Sequence, residues 1–287
     1  MFFHGMTRKN FLSATFGAVV SSGLGLAQSA LAQSPEVPPS KLATTSLGGT
    51  YYDVRTFGAK GDGESIDTPA INRTIETAAA AGGGAVYFPS GTYLCYSIRL
   101  KNSISLYLDA GAIILAAEVP PEGASTGGYD PAGPPQPWEA FQDFGHNHWR
   151  NSLIWGEDLH DISILGLGLI WGKGLSRGER NELPHAESPG TGNKAIALKN
   201  CRNVTFRDFS MLACGHFALL LTGVDNLTID GLKIDTNRDG IDIDCCKNAH
   251  VSNCTINSPW DDAICPKVRL PWATREQRKM SQSATVM

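Results

Sequence analysis

The stretch "NRDGIDIDCCKNAHVSNCTINSPWDDAIC", which begins at Asn237, holds five aspartates: Asp239, Asp242, Asp244, Asp261 and Asp262. Two of them are adjacent, and Asp239 lies 22 residues before Asp261. If the chain repeats with that period in stacked coils, Asp239 falls about 5 Å from the pair, one strand spacing away. Repulsion among clustered carboxylates then raises at least one pKa. An acid kept protonated beside ionised neighbours can give a proton to a leaving oxygen while a neighbour takes one from water, which is the chemistry of glycosidic bond cleavage. Aspartates also cap turns, and Asp242 and Asp244 are expected to do that. Asp239, Asp261 and Asp262 are left as the catalytic candidates.

The elements that must position them carry a repeat. "DISILG" starts at Asp161, "NVTFRD" at Asn203, "NLTIDG" at Asn226 and "NAHVSN" at Asn248, with a looser copy, "NSISLY", at Asn102. Each copy is a turn residue followed by apolar and polar residues in alternation, the pattern of a short strand. The steps from Asn203 to Asn226 and on to Asn248 are 23 and 22 residues, a solenoid period. The leucine-rich frame is missing, so the expected fold class is all-β, a right-handed parallel β-helix. Asp67 or Thr68 is expected to cap a short N-terminal helix through Ile71 and Ile75 that closes at Gly82–Gly84 and covers the first coil. The Pro- and Gly-rich stretch from Val119 to Trp138 is expected to be a loop that walls a groove.

With these residues in view, the chain resembles glycoside hydrolase family 28, the polygalacturonases and related pectin-backbone hydrolases. The resemblance runs from Tyr52 to Lys267. It rests on "FGAKGDGESIDTPAIN", "GGGAVYFPSGTYL", "GLGLIWGKG", the N-x-D-G element at Asn237–Gly240 and the D-D-x-x-C element at Asp261–Cys265. It implies hydrolysis of a pectic polysaccharide with inversion. Asp261 would be the general acid, Asp239 and Asp262 would activate the water, and Asn237 would orient Asp239. Two positions depart from the family: Arg238 stands where Thr is usual and Trp260 where Gly or Gln is usual. Both are candidates to shape the substrate groove, with a packed aromatic as the other reading of Trp260. The Gly-His-Gly and Arg-x-Lys elements of the family are missing, and Lys267 follows the Asp pair too closely to be that lysine.

The remaining chain sets bounds. The 287 residues carry a formal net charge of -4, so no basic field favours nucleic acid or anionic lipid. Residues 1–32 read as an export signal: Arg8 and Lys9, an apolar run, and Ala30-Leu31-Ala32 before Gln33. "TRKNFL" resembles a twin-arginine signal, and a periplasmic or extracellular location follows. Residues 33–50 read as a linker and 51–267 as the β-helix domain. From Val268 the alternation and the repeat stop. Back-translated in a shifted frame, residues 276–287 contain "NVTISN", a copy of the repeat. Residues 268–287 are therefore expected to be a frameshifted tail and the chain an incomplete enzyme of little activity. Seven cysteines, with no C-x-x-C pair or histidine cluster, are expected to be mainly buried apolar side chains. No metal, no cofactor, no membrane or nucleic-acid partner and a monomeric state are expected. Two other functions stay open. A pectic lyase would need calcium and a basic catalytic residue. A non-catalytic sugar-binding solenoid would use Trp260, Trp138 and Tyr129 as platforms. Four N-x-S/T sequons, at Asn72, Asn203, Asn226 and Asn253, are expected to serve the repeat rather than carry glycans.

Overall fold

The computed structural model describes residues 51–119, 128–134, 142–176 and 186–267, together with the backbone of 285–286. The compact unit of residues 46–287 is a right-handed parallel β-helix. The export signal, the linker and all but two residues of the tail beyond Lys267 lie outside the described residues, as does Trp138.

The chain enters through strand β1 (Tyr51–Asp53), a 3-10 turn (Val54–Phe57), β2 (Asp62–Ile66) and helix α1 (Thr68–Ala80). Pro69 starts the helix, and it buries Ile71, Thr74, Ile75 and Ala78. It ends at Ala81, and the following Gly82 and Gly83 take positive φ. Asp67 holds the N-cap position but does not cap; its carboxylate instead accepts from the N–H groups of Lys60 and Gly61, 2.7 and 2.9 Å away, and so pins the preceding loop.

Six coils follow, each of three strands. The first is β3 (Gly84–Phe88), β4 (Gly91–Cys95) and β5 (Ile98–Arg99); the second is β6 (Ile104–Leu108), β7 (Ala112–Ala116) and β8 (Ser152–Glu157). Between β7 and β8 lies a long excursion with a one-turn helix, α2 (Phe144–Asn147). The third and fourth coils are β9 (His160–Gly166), β10 (Leu169–Trp171), β11 (Lys194–Lys199), then β12 (Arg202–Arg207), β13 (Ser210–Leu212), β14 (Phe217–Thr222). The fifth and sixth are β15 (Asp225–Asp230), β16 (Lys233–Asp235), β17 (Asp239–Asp244), then β18 (Lys247–Ser252), β19 (Thr255–Asn257), β20 (Ile264–Lys267). A two-residue strand, β21 (Thr285–Val286), pairs in parallel with β18.

Stacking makes three parallel sheets, and each feeds columns of side chains to the core. The first sheet contributes Val86, Leu106, Ile164, Phe206, Ile229 and Val251 in register. The third contributes Ile98, Ile154, Ile196, Leu219, Ile241 and Ile264. A fully buried side chain of this kind stabilises the fold by about 1.5–3 kcal/mol. The corner before the first sheet is a polar ladder. Asn203 Nδ2 donates to Asp161 Oδ1, Asn226 to Asn203 and Asn248 to Asn226, at 2.7, 3.0 and 3.0 Å. These four residues share a left-handed φ of 54–56°, a turn conformation that Asn and Asp tolerate. The repeat seen in the sequence is this ladder.

The Nδ2 groups of Asn72 and Asn253 likewise donate to neighbours, so all four sequon amides are engaged. All seven cysteines are free; five are buried and Cys254 and Cys265 are partly buried. Tyr129 is buried and donates to the Ala117 carbonyl at 2.8 Å. It is therefore a packing residue, and the expectation of a sugar platform there is corrected.

Candidate active site

The third sheet differs from the other two. Its central strands β14 and β17 are buried at all six positions, because residues 142–150 lie across the sheet's outer face. Trp149 packs there with Ala197, Phe217 and Leu220 and donates to the Thr222 hydroxyl at 3.2 Å. This segment walls the site among the described residues, whereas most of the 119–138 stretch, expected to wall a groove, lies outside them.

Asp239 opens β17, and Asp261 and Asp262 lie in the turn between β19 and β20. One carboxylate oxygen from each of the three lies within 4.8 Å of the others. The clustering expected from the sequence is therefore present. The register differs by one residue, since Ile241 pairs with Ile264, a step of 23, and the Gly240 N–H donates to the Asp262 carbonyl at 2.9 Å. Asp239 thus stands across from Asp262, and Arg238 across from Asp261. Asp239 is buried, Asp261 and Asp262 are exposed. Burial first, then the charges of Asp242 and Asp261, push the Asp239 carboxyl up to about 7, against the pull of Lys267 and His146. Asp239 thereby keeps its proton towards neutral pH beside two exposed acids.

The predicted supports are distributed as follows. Arg238 Nη2 pairs with Asp261 Oδ2 at 2.8 Å. Asn237 is half-buried in the bend that leads into β17. Trp260 is 67% exposed, so it is a surface aromatic beside the acids and not a packed one. Ser258 Oγ donates to the Arg238 carbonyl at 2.6 Å and lies 3.1 Å from that of Asp261, tying the two turns together.

Asp242 and Asp244 do not cap turns, contrary to expectation. Both are fully buried within β17. Asp242 Oδ2 meets His146 Nε2 at 3.1 Å and Lys267 Nζ at 2.9 Å. Lys267 Nζ is also 2.7 Å from His146 Nε2, and His146 Nδ1 is 3.0 Å from Asp143 Oδ2. Burial lowers the His146 pKa, but its two carboxylate partners outweigh that and leave it raised. Asp143 is held below the usual carboxylate range: burial would raise it, and His146 and His216 reverse that. Burial likewise opposes the charge of Lys267, and Asp242 restores it and leaves the pKa raised. His216 Nε2 lies 3.9 Å from both Asp143 and Asp239, with its ring stacked on Phe217 at 4.2 Å.

None of His146, His216, Asp143 and Lys267 was foreseen in the site. For His216 a signal existed: Phe217 is in register with Asp239, so His216 stands one coil before Arg238. For His146 none did, since its segment lies outside the repeat. Along the sequence there is no histidine cluster, but in space Asp143, His146 and His216 bring ligand atoms within 4.8 Å. That group and the acidic trio are the two places among the described residues with spacing suited to a metal ion.

Comparisons with known proteins agree with this architecture. Residues 51–126 match the family "Rhamnogalacturonase A/epimerase, pectate lyase-like", and residues 179–265 match "Right handed beta helix region". A polygalacturonase of Chamaecyparis obtusa is 25% identical over 75% of this chain and 39% of its own length. The chain thus spans about two fifths of that curated relative. Among solved structures, the family 28 exopolygalacturonase of Yersinia enterocolitica superposes with a TM-score of 0.60 at 22% identity, over 73% of this chain and 43% of that one. The exopolygalacturonase of Thermotoga maritima gives 0.57 at 19%, over 73% and 52%. At these identities the structural likeness establishes the fold.

Proposed function

We propose that this chain is a polygalacturonase-like member of glycoside hydrolase family 28 and hydrolyses the backbone of a pectin-like polysaccharide. The observation that carries the reading is the trio of Asp239, Asp261 and Asp262, with oxygens within 4.8 Å and one member protonated up to about pH 7. Such a trio holds both a proton to give and a carboxylate to receive one. In this reading the proton held by Asp239 passes to Asp261, which delivers it to the glycosidic oxygen and leaves Asp239 as a carboxylate. Asp239 and Asp262 take the proton of the attacking water, and Asn237 steadies the bend that carries Asp239. Trp260, exposed at the rim, offers its face to a sugar ring.

Inversion is proposed from family membership. Inverting pairs usually stand about 6.5–9.5 Å apart to admit the water, a wider gap than this one. Here two of the three acids face the water together, so the water has its place between Asp239 and Asp262. Proton NMR of the first product formed from polygalacturonate decides the matter: a β-configured reducing end supports inversion, and an α-configured one refutes it. The hydrolase reading itself is tested by reducing-end release from polygalacturonate by the purified chain. Asp239→Asn, Asp261→Asn and Asp262→Asn are each expected to lower turnover by about 10²–10⁴-fold. Release by the wild-type chain is expected to be weak, in keeping with a frameshifted tail at residues 268–287; unchanged turnover in these variants, or no measurable release at all by the wild type, refutes the reading. An unsaturated product that depends on calcium would indicate a lyase instead, a reading that the family relationship does not favour.

A further inference from the structure

Arg238 is the guanidinium that meets the proposed acid, and it does so on one prong. Its Nη2 is 2.8 Å from Asp261 Oδ2, while its Nε is buried with no hydrogen-bond partner among the described residues. Two other arginines show what a full grip looks like. Arg99 holds Asp130 with Nε and Nη2 at 2.8 and 2.6 Å, and Arg150 holds Glu157 with the same two atoms at 3.0 and 2.7 Å. A planar fork with one prong unused is under-engaged, and a carboxylate that fits both prongs binds it better. The buried unpaired donor is a standing cost of the resting pair. The pair is also partly open to water, with side chains 32% and 30% exposed, and single ion pairs of that kind are weak. Arg238 is thus poised to exchange partners.

Its position says which partner. Arg238 is adjacent in sequence to Asp239 and stands across from Asp261. Any sugar whose glycosidic oxygen reaches Asp261 therefore passes within range of the guanidinium. A uronic acid carries a carboxylate on that ring. We infer that Arg238 is the receptor for the carboxylate of a uronic-acid unit at the cleaved bond, and that taking it up draws the guanidinium off Asp261, whose freed carboxylate accepts the proton held by neighbouring Asp239 and passes it to the leaving oxygen. This inference rests on the hydrolase reading above. The proton that Asp261 gives to the leaving oxygen is matched by the one that the attacking water gives to the other acids, so the net reaction consumes one water. A neutral sugar brings no carboxylate and leaves Asp261 tied, so discrimination falls on turnover as well as on affinity.

The test uses the full chain, Arg238→Thr and Arg238→Gln, with a galacturonate oligomer and its carboxyl-reduced, neutral counterpart. Binding is followed by calorimetry, turnover by reducing ends and folding by circular dichroism. The wild type is expected to bind the uronate oligomer at least tenfold more tightly than the neutral one. Both variants should lose that preference while binding the neutral oligomer as the wild type does. Their turnover of the neutral oligomer should rise above that of the wild type, a gain that a merely structural arginine would not yield. If one variant fails to fold, the other is read alone; loss of fold in both makes Arg238 structural and overturns the inference. A folded variant that keeps the wild-type preference also overturns it and leaves the hydrolase reading standing. A wild type that binds and cleaves neither oligomer overturns both.

Discussion

Asp239 keeps its proton because it is buried in β17 beside Asp242 and Asp261. A carboxyl whose folded pKa lies above its unfolded one favours the fold at low pH, and that contribution is lost as pH rises from about 4 to about 7. His146, also raised, acts in the same direction at higher pH, since its charged form is the one the fold prefers. Asp143, held low, acts oppositely and is lost on acidification below about pH 4. Thermal stability is therefore expected to peak in mildly acidic buffer and to fall between pH 5 and 8. Asp239→Asn should flatten that fall, and a wild-type melting profile that rises from pH 5 to 8 would contradict it. His146→Ala should lower both melting temperature and turnover, because it leaves buried Asp242 with Lys267 alone. The three catalytic candidates were legible in the sequence, as aspartates at the solenoid period. Their cationic partners were not, because a repeat reports what recurs and His146 occurs in a segment that does not.

At the scale of the element, strands of the first sheet were legible because one face is buried and the other is not, as in Arg202–Arg207, where Val204 and Phe206 are buried and the residues on either side of them are not. The third sheet hides that signal: β14 and β17 are buried on both faces, and alternation has no meaning in such a strand. The misreading of Asp242 and Asp244 as turn caps has this origin. The one-residue offset between Asp239 and Asp261 arises similarly, since the turn before β20 carries one residue more than the period of 22. The corners make their own demand. Gly166 has a φ of 108°, and a Cβ there would press on the Leu108 carbonyl, so Gly166→Ala should be poorly tolerated. Asn226→Ala removes two rungs of the ladder at once and should cost about 1–3 kcal/mol in denaturant melts; no measurable change would remove the ladder from the account of stability.

At the scale of the molecule, a solenoid is held by contacts between neighbouring coils, and its stability is distributed accordingly. Leu219→Ala, in the middle of the third sheet's column, should cost about 2–5 kcal/mol. Amide exchange should be slowest in β11, β14 and β17 and faster in β19, whose side chains are exposed or half-buried; uniform protection would argue against a nearest-neighbour solid. The stacking and its period were legible from the sequence, whereas the 142–150 wall that makes a cleft of one face was not. The ladder adds something about direction. Every rung donates towards the start of the chain: Asn248 to Asn226, Asn226 to Asn203, and Asn203 to the carboxylate of Asp161. The corner is thus vectorial, a row of amide dipoles with an anion at its hydrogen-bearing end. Such a row has a grammar for engineered growth. A coil grafted after Asn248 must present a donor to the Asn248 side-chain oxygen, so asparagine extends the row, and aspartate, which at neutral pH can only accept, terminates it.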